Sequence, residues 1–109
     1  MAIKANMVMD QGTDFSRSVS VTTSNGSIFD LTNYTAVCGL KKHFSSNTSY
    51  LLTAVVSTPA AGEITITANN AVTSAIPPGR YNYDVEVTSN TAVVDRVLQG
   101  QITVTPEHV

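Results

Sequence analysis

The chain has no tryptophan, one cysteine and few charges, and each shortage removes a class of explanation. A lone Cys38 cannot close an intrachain disulfide, so the fold must rest on its own core. Set among Ala36, Val37 and Leu40, that cysteine reads as a small buried hydrophobe. Charged residues make up 13% of the chain, about half the ~25% usual in soluble domains. The six Lys and Arg are scattered singly apart from Lys41-Lys42, which argues against nucleic acid as a partner because phosphate binding needs a clustered basic stripe. No run approaches the ~18 consecutive apolar residues of a membrane span. The opening MAIKANMVMD also lacks the apolar stretch of a secretory leader. The expectation is a chain made in the cytoplasm with no membrane partner.

Catalytic groups are equally sparse. Only His43 and His108 could supply an imidazole, and His43 lies five residues from Cys38, which puts the two on opposite faces of a regular strand. Two histidines and one cysteine without local spacing make a zinc site improbable, and no cofactor is expected. Asp84 and Glu86 share one strand face about 7 Å apart, a spacing open to a carboxylate pair. A solvated face balanced by Arg80 and Arg96 explains them more simply. The reading is that the protein is not an enzyme.

What is present is alternation. Pro77-Pro78-Gly79 can continue neither a helix nor a ladder, and from Tyr81 the residues alternate strictly: Tyr81, Tyr83, Val85 and Val87 on one side, Arg80, Asn82, Asp84, Glu86 and Thr88 on the other. That is a half-buried antiparallel strand, which requires partners. The partners read as strands over 3–9, 15–23 with Ile28 and Phe29 continuing beyond an Asn25-Gly26 hairpin turn, 35–44, 48–56, 63–68 and 92–105. Arg17 and Lys42 fall at inward phases near strand ends, where long side chains can reach water. Asp30 to Tyr34 forms a corner with Leu31 and Tyr34 inward, and Asn69 to Ile76 a crossing with at most a helical turn. On the last strand Val94, Leu98, Ile102 and Val104 are assigned to one face, Val93 and Val97 to the other, with a bulge at Gly100 resetting the phase; the turn register is open by one residue, which puts Arg96 either outward beside Asp84, the favoured placement, or inward beside Val85. The expected fold is all-β: one immunoglobulin-like antiparallel β-sandwich of about seven to eight strands spanning residues 1–109.

One strand breaks the rule of one wet face. With Tyr50, Leu52, Ala54 and Val56 inward, TSYLLTAVV leaves Leu51 and Val55 outside around Thr53, and a two-layer sandwich has no third layer to cover them. Leu51, Val55, Val93 and Val97 are therefore the candidate interface residues.

Five stretches in order, DQGTDF (10–15), DLTNYT (30–35), LKKHFSSNT (40–48), PGRYNYDVEV (78–87) and RVLQGQITVTP (96–106), resemble a family of small all-β virion structural proteins of tailed bacteriophages, particularly those of marine bacteria and cyanobacteria. A more distant likeness is to the immunoglobulin-like N-terminal domain of phage baseplate upper proteins. Asn33 stands where the family pattern usually has glycine, and asparagine tolerates the left-handed conformation. The resemblance implies a non-enzymatic subunit located on the virion that docks on other virion proteins and on copies of itself. A single sandwich without shaft or second domain fits head decoration on the major capsid protein slightly better than the alternative, a tail, baseplate or fibre-adaptor module that binds host-surface glycans.

Overall fold

The computed structural model describes residues 3–22, 26–42 and 49–106. In chain order the elements are β1 (Ile3–Lys4), β2 (Met7–Asp10), β3 (Phe15–Ser20), β4 (Thr35–Lys41), β5 (Tyr50–Thr58), β6 (Glu63–Ala68), the short helix α1 (Asn70–Ser74), β7 (Gly79–Thr88) and β8 (Val94–Thr105). A 3-10 turn, Pro59–Ala61, follows β5. The hydrogen-bonded order is β1-β8-β7-β4-β5-β6-β3, with β2 also on β8.

Period-two sequence sets this arrangement. On β7, Tyr81, Tyr83, Val85 and Val87 are all buried, while Arg80, Asn82 and Glu86 are exposed. Cys38 and Leu40 from β4, Leu52 from β5, Ile64 and Ile66 from β6 and Phe15 from β3 join them in one core cluster. The two layers are not separate sheets. The first three residues of β5 pair with β4, as in Cys38↔Leu52 and Leu40↔Tyr50. From Thr53↔Thr67 onward β5 pairs with β6. One strand thus passes from one layer to the other and makes the sandwich a continuous, strongly curved sheet.

The all-β expectation stands, with three departures from the sequence reading of an antiparallel sandwich. The sheet is mixed, because β1 and β2 run parallel to β8. Strand 3–9 is split at Ala5-Asn6, where the chain passes over Gly100. Ile28 and Phe29 form no continuing strand; a single antiparallel bridge joins Thr22 to Ile28, and Ile28 is exposed. The hairpin turn assigned to residues 24–27 falls partly outside the described residues, as do His43, Phe44 and His108.

Local chemistry holds the connections. Leu31 is fully buried and its N–H donates to the Pro59 carbonyl at 2.9 Å, while Asn33 takes φ 66°, the left-handed geometry the corner needs. Tyr34 packs edge-on against Phe29 at 5.7 Å between centroids. Asn69 caps α1 by accepting from the Val72 N–H at 3.0 Å. The buried Thr73 hydroxyl donates to the Thr13 carbonyl at 2.8 Å and accepts from the Gly12 N–H at 3.1 Å, tying the loop after β2 to the helix.

β3 is an edge strand, pairing only with β6. Arg17 sits in its inward-phase row yet is exposed, with its guanidinium 5.3 Å from the Phe15 ring centre. A charge in that row of an edge strand opposes strand addition. Lys42 behaves similarly, exposed with its ammonium 5.5 Å from the Tyr81 ring centre.

Candidate interaction surfaces

β5 carries the first surface. Alternation sends Leu52 into the core at 5% exposure and leaves Leu51 at 66% and Val55 at 52% outside. The neighbouring β4 adds Val37, exposed and two residues from Gly39, the cross-strand partner of Leu51. Val37 was readable as an apolar residue at the outer phase of β4, but beside Ala36 and Cys38 it did not stand out.

The other two candidates do not join this patch. Val93 is exposed in the β7–β8 turn, where its carbonyl accepts from the Ser89 N–H at 2.9 Å. Its neighbour Val94 pairs with Thr88 and is three strands from β5, roughly 14 Å at ~4.8 Å per strand. Val97 is buried, at 2% exposure, and offers no surface. The reason is the position of the bulge. Register passes from Val85↔Leu98 to Glu86↔Arg96, leaving Val97 as the extra residue, so both Val97 and Leu98 turn inward and Val94 turns out. Gly100 remains in register opposite Tyr83. Its lack of a side chain instead admits the Ala5 carbonyl, which accepts the Tyr83 hydroxyl at 2.6 Å.

The second surface is a shallow trough of about 800 Å³ on the outer face of β1, β8, β7, β4 and the start of β5. Ladder register lays Lys4, Gln99, Asp84, Gly39 and Leu51 in one row across it. Gln101, Asn82 and Lys41 form the next row. Gly39 opens the floor: a Cβ there would meet only the Leu51 side chain, at 3.7 Å. Arg96 binds Asp84 across the strands, Nε to Oδ2 at 3.1 Å, as the outward phase of Arg96 requires. Glu86 lies opposite Arg96 in the ladder, while the guanidinium is engaged by Asp84. Leu51 forms one end of the trough and also lines a smaller depression of about 460 Å³ beside Phe15, Thr53, Thr67 and Val72.

Among the described residues neither surface brings together a nucleophile, a base and an orienting group. Cys38 is fully buried, and burial, reinforced by the Asp84 charge, pushes its thiol up to about 12. Burial likewise pushes the Tyr83 phenol up to about 12, with Cys38 adding to the effect. Among the described residues no three His, Cys, Asp or Glu side chains cluster as metal ligands.

No family model matches the sequence, and no curated protein matches it. In three dimensions the chain is similar to an internalin-like protein of Listeria monocytogenes, with a TM-score of 0.50 and 15% identity over 97% of this chain. The chain spans 28% of the length of that protein. At this identity the likeness concerns the β-rich fold alone.

Proposed function

We propose that this chain is a non-enzymatic structural subunit that docks through the outer face of β5 onto a larger assembly, and that the assembly is the virion of a tailed bacteriophage. The observation that carries the docking is the uncovered apolar row of Val37, Leu51 and Val55 on β4 and β5. Strand-borne apolar residues left bare promote aggregation, whereas a permanent partner removes them from water. The chain's low charge fits the same picture, since a surface of hydroxyls and amides loses little on being covered. The virion itself rests on the five-stretch resemblance. The partner is then another virion protein, with the major capsid protein slightly ahead of tail or baseplate proteins, and further copies of this chain as neighbours.

Leu51→Lys tests the docking. The side chain is mostly in water, so the substitution should leave stability within about 0.5 kcal/mol while the purified, folded protein fails to join particles. Incorporation at the wild-type level would overturn the reading. Gold-labelled antibody on intact virions tests the location: dense label over heads supports decoration, label confined to tails favours the baseplate alternative, and unlabelled particles overturn the virion assignment.

A further inference from the structure

We infer that the trough over β8, β7 and β4 is a binding site for an acidic oligosaccharide, one whose sugars carry carboxylates. The inference goes beyond docking by β5 and uses a different set of residues, sharing only Leu51 at its end.

Charge points to the sign of the ligand. The whole chain has a formal charge of −2. Yet among the described residues three of its six Lys and Arg (Lys4, Lys41 and Arg96) line this one depression against one acid, Asp84, which leaves the described lining net positive. The Asp84 charge is met by Arg96 at 3.1 Å, which leaves the two ammoniums as the uncompensated charges. Neither Lys4 nor Lys41 has a carboxylate partner among the described residues. They stand on β1 and β4, three strands apart, roughly 14 Å. A single small anion reaches one of them; an extended ligand with repeated carboxylates reaches both.

The uncharged lining points to hydroxyls. Asn6, Asn82, Gln99 and Gln101 bring four amides, each both donor and acceptor. The Gln99 and Gln101 side chains have no hydrogen-bond partner among the described residues, so their groups are free for a polyhydroxylated ligand. The trough lies on a sheet face, where the backbones of β8, β7 and β4 along its floor are already paired on both sides, and Leu51 is the exposed apolar side chain among its described lining residues. An acidic peptide would want pockets for alternate side chains, which the trough lacks, or a long free strand edge, whereas β1, the edge strand beside it, is only two residues long. A volume of about 800 Å³ is within the range of small-ligand clefts.

The test is a titration of the purified protein with trigalacturonate, followed by backbone and side-chain amide NMR, beside neutral maltotriose and hexaglutamate. The expected result is a salt-sensitive shift of Gly39, Asn82, Gln99 and Gln101 with trigalacturonate and much weaker responses to the other two. Lys4→Glu with Lys41→Glu should weaken binding about tenfold, a little under 1 kcal/mol for each exposed ion pair. Gly39→Phe should abolish it by filling the floor. The rest of each spectrum reports that the variant is folded, and the Lys variants carry the test if Gly39→Phe disturbs the sheet. Val55→Lys, outside the trough, should bind as wild type, so loss of docking and loss of this site are read separately. No shift with trigalacturonate, equal binding of maltotriose, or tighter binding of hexaglutamate would overturn the inference, the last assigning the trough to an acidic polypeptide.

Discussion

Gly100→Ala places a methyl group where the N-terminal segment already runs. The new Cβ would abut the Ala5 carbonyl oxygen and lie 2.8 Å from its carbon and 3.0 Å from Asn6 Oδ1. Backbone cannot yield at that distance without moving, so the Ala5-Asn6 crossing must lift from β8. Three hydrogen bonds then go: Tyr83 hydroxyl to Ala5 carbonyl at 2.6 Å, Ala5 N–H to Gln99 carbonyl at 2.9 Å, and Gln101 N–H to Asn6 Oδ1 at 3.1 Å. At about 1 kcal/mol net for each, with a further 1 kcal/mol or so for a buried hydroxyl left unpaired, the loss is about 4 kcal/mol. That is a large part of the ~5–15 kcal/mol of a typical domain. It should lower the melting temperature by about 15 °C or more. Tyr83→Phe, which removes one of the three bonds, should cost about 1 kcal/mol alone, whereas in the Gly100→Ala background, where the hydroxyl is already buried and unpaired, it should recover about 1 kcal/mol. Thermal unfolding by circular dichroism gives the energies, and hydrogen exchange at the Gln101 N–H reports whether the crossing has lifted. If Gly100→Ala melts within a few degrees of wild type with that N–H still protected, the steric account of Gly100 is wrong.

The bulge makes two adjacent-looking valines unequal. Val97→Lys buries a charge and should prevent folding, whereas Val93→Lys should change the denaturation midpoint by no more than the equivalent of about 0.5 kcal/mol; similar midpoints for both would place the bulge elsewhere. High pH supplies another check. The fold favours the protonated forms of Cys38 and Tyr83, both held up at about 12. Their contribution is therefore complete below the unfolded values, near ~8.5 and ~10, and is lost as pH climbs towards 12. Urea midpoints should fall through that window, and a midpoint that holds constant or rises there would contradict the burial of both groups. By the same logic Cys38 should resist thiol reagents at pH 8 until the protein unfolds.

Strands whose environment is uniform along their length were legible. β6 reads Ile64, Ile66 and Ala68 against Glu63, Thr65 and Thr67, and its ends agree with the alternation. β7 is equally plain, whereas the phase of Arg96 depended on a turn register open by one residue, which the ion pair with Asp84 decides for the outer face. The sheet change within β5 left no mark, because Leu52 and Val56 point inward whichever neighbour lends the hydrogen bonds. The bulge was placed at Gly100 because glycine is the residue type that announces one; a bulge built on Val97 needs no special residue and hides inside a run of apolar letters. The parallel pairing of β1 and β2 was hidden for a related reason: register with β8 is a long-range choice that no local pattern encodes. The trough was invisible because its lining comes from five strands, no two of its charges being neighbours in sequence.

The side-by-side course of β2 and β8 has a mechanical consequence. Met7 lies opposite Ile102 and Asp10 opposite Thr105, so the first residue of β2 and the last of β8 sit at opposite ends of one ladder. A pull applied between the two ends of the chain would draw these strands past each other lengthwise, straining every rung together where an antiparallel pair pulled from the same end would unzip one rung at a time. A fold clamped in this way resists stretching along its own axis without a covalent cross-link.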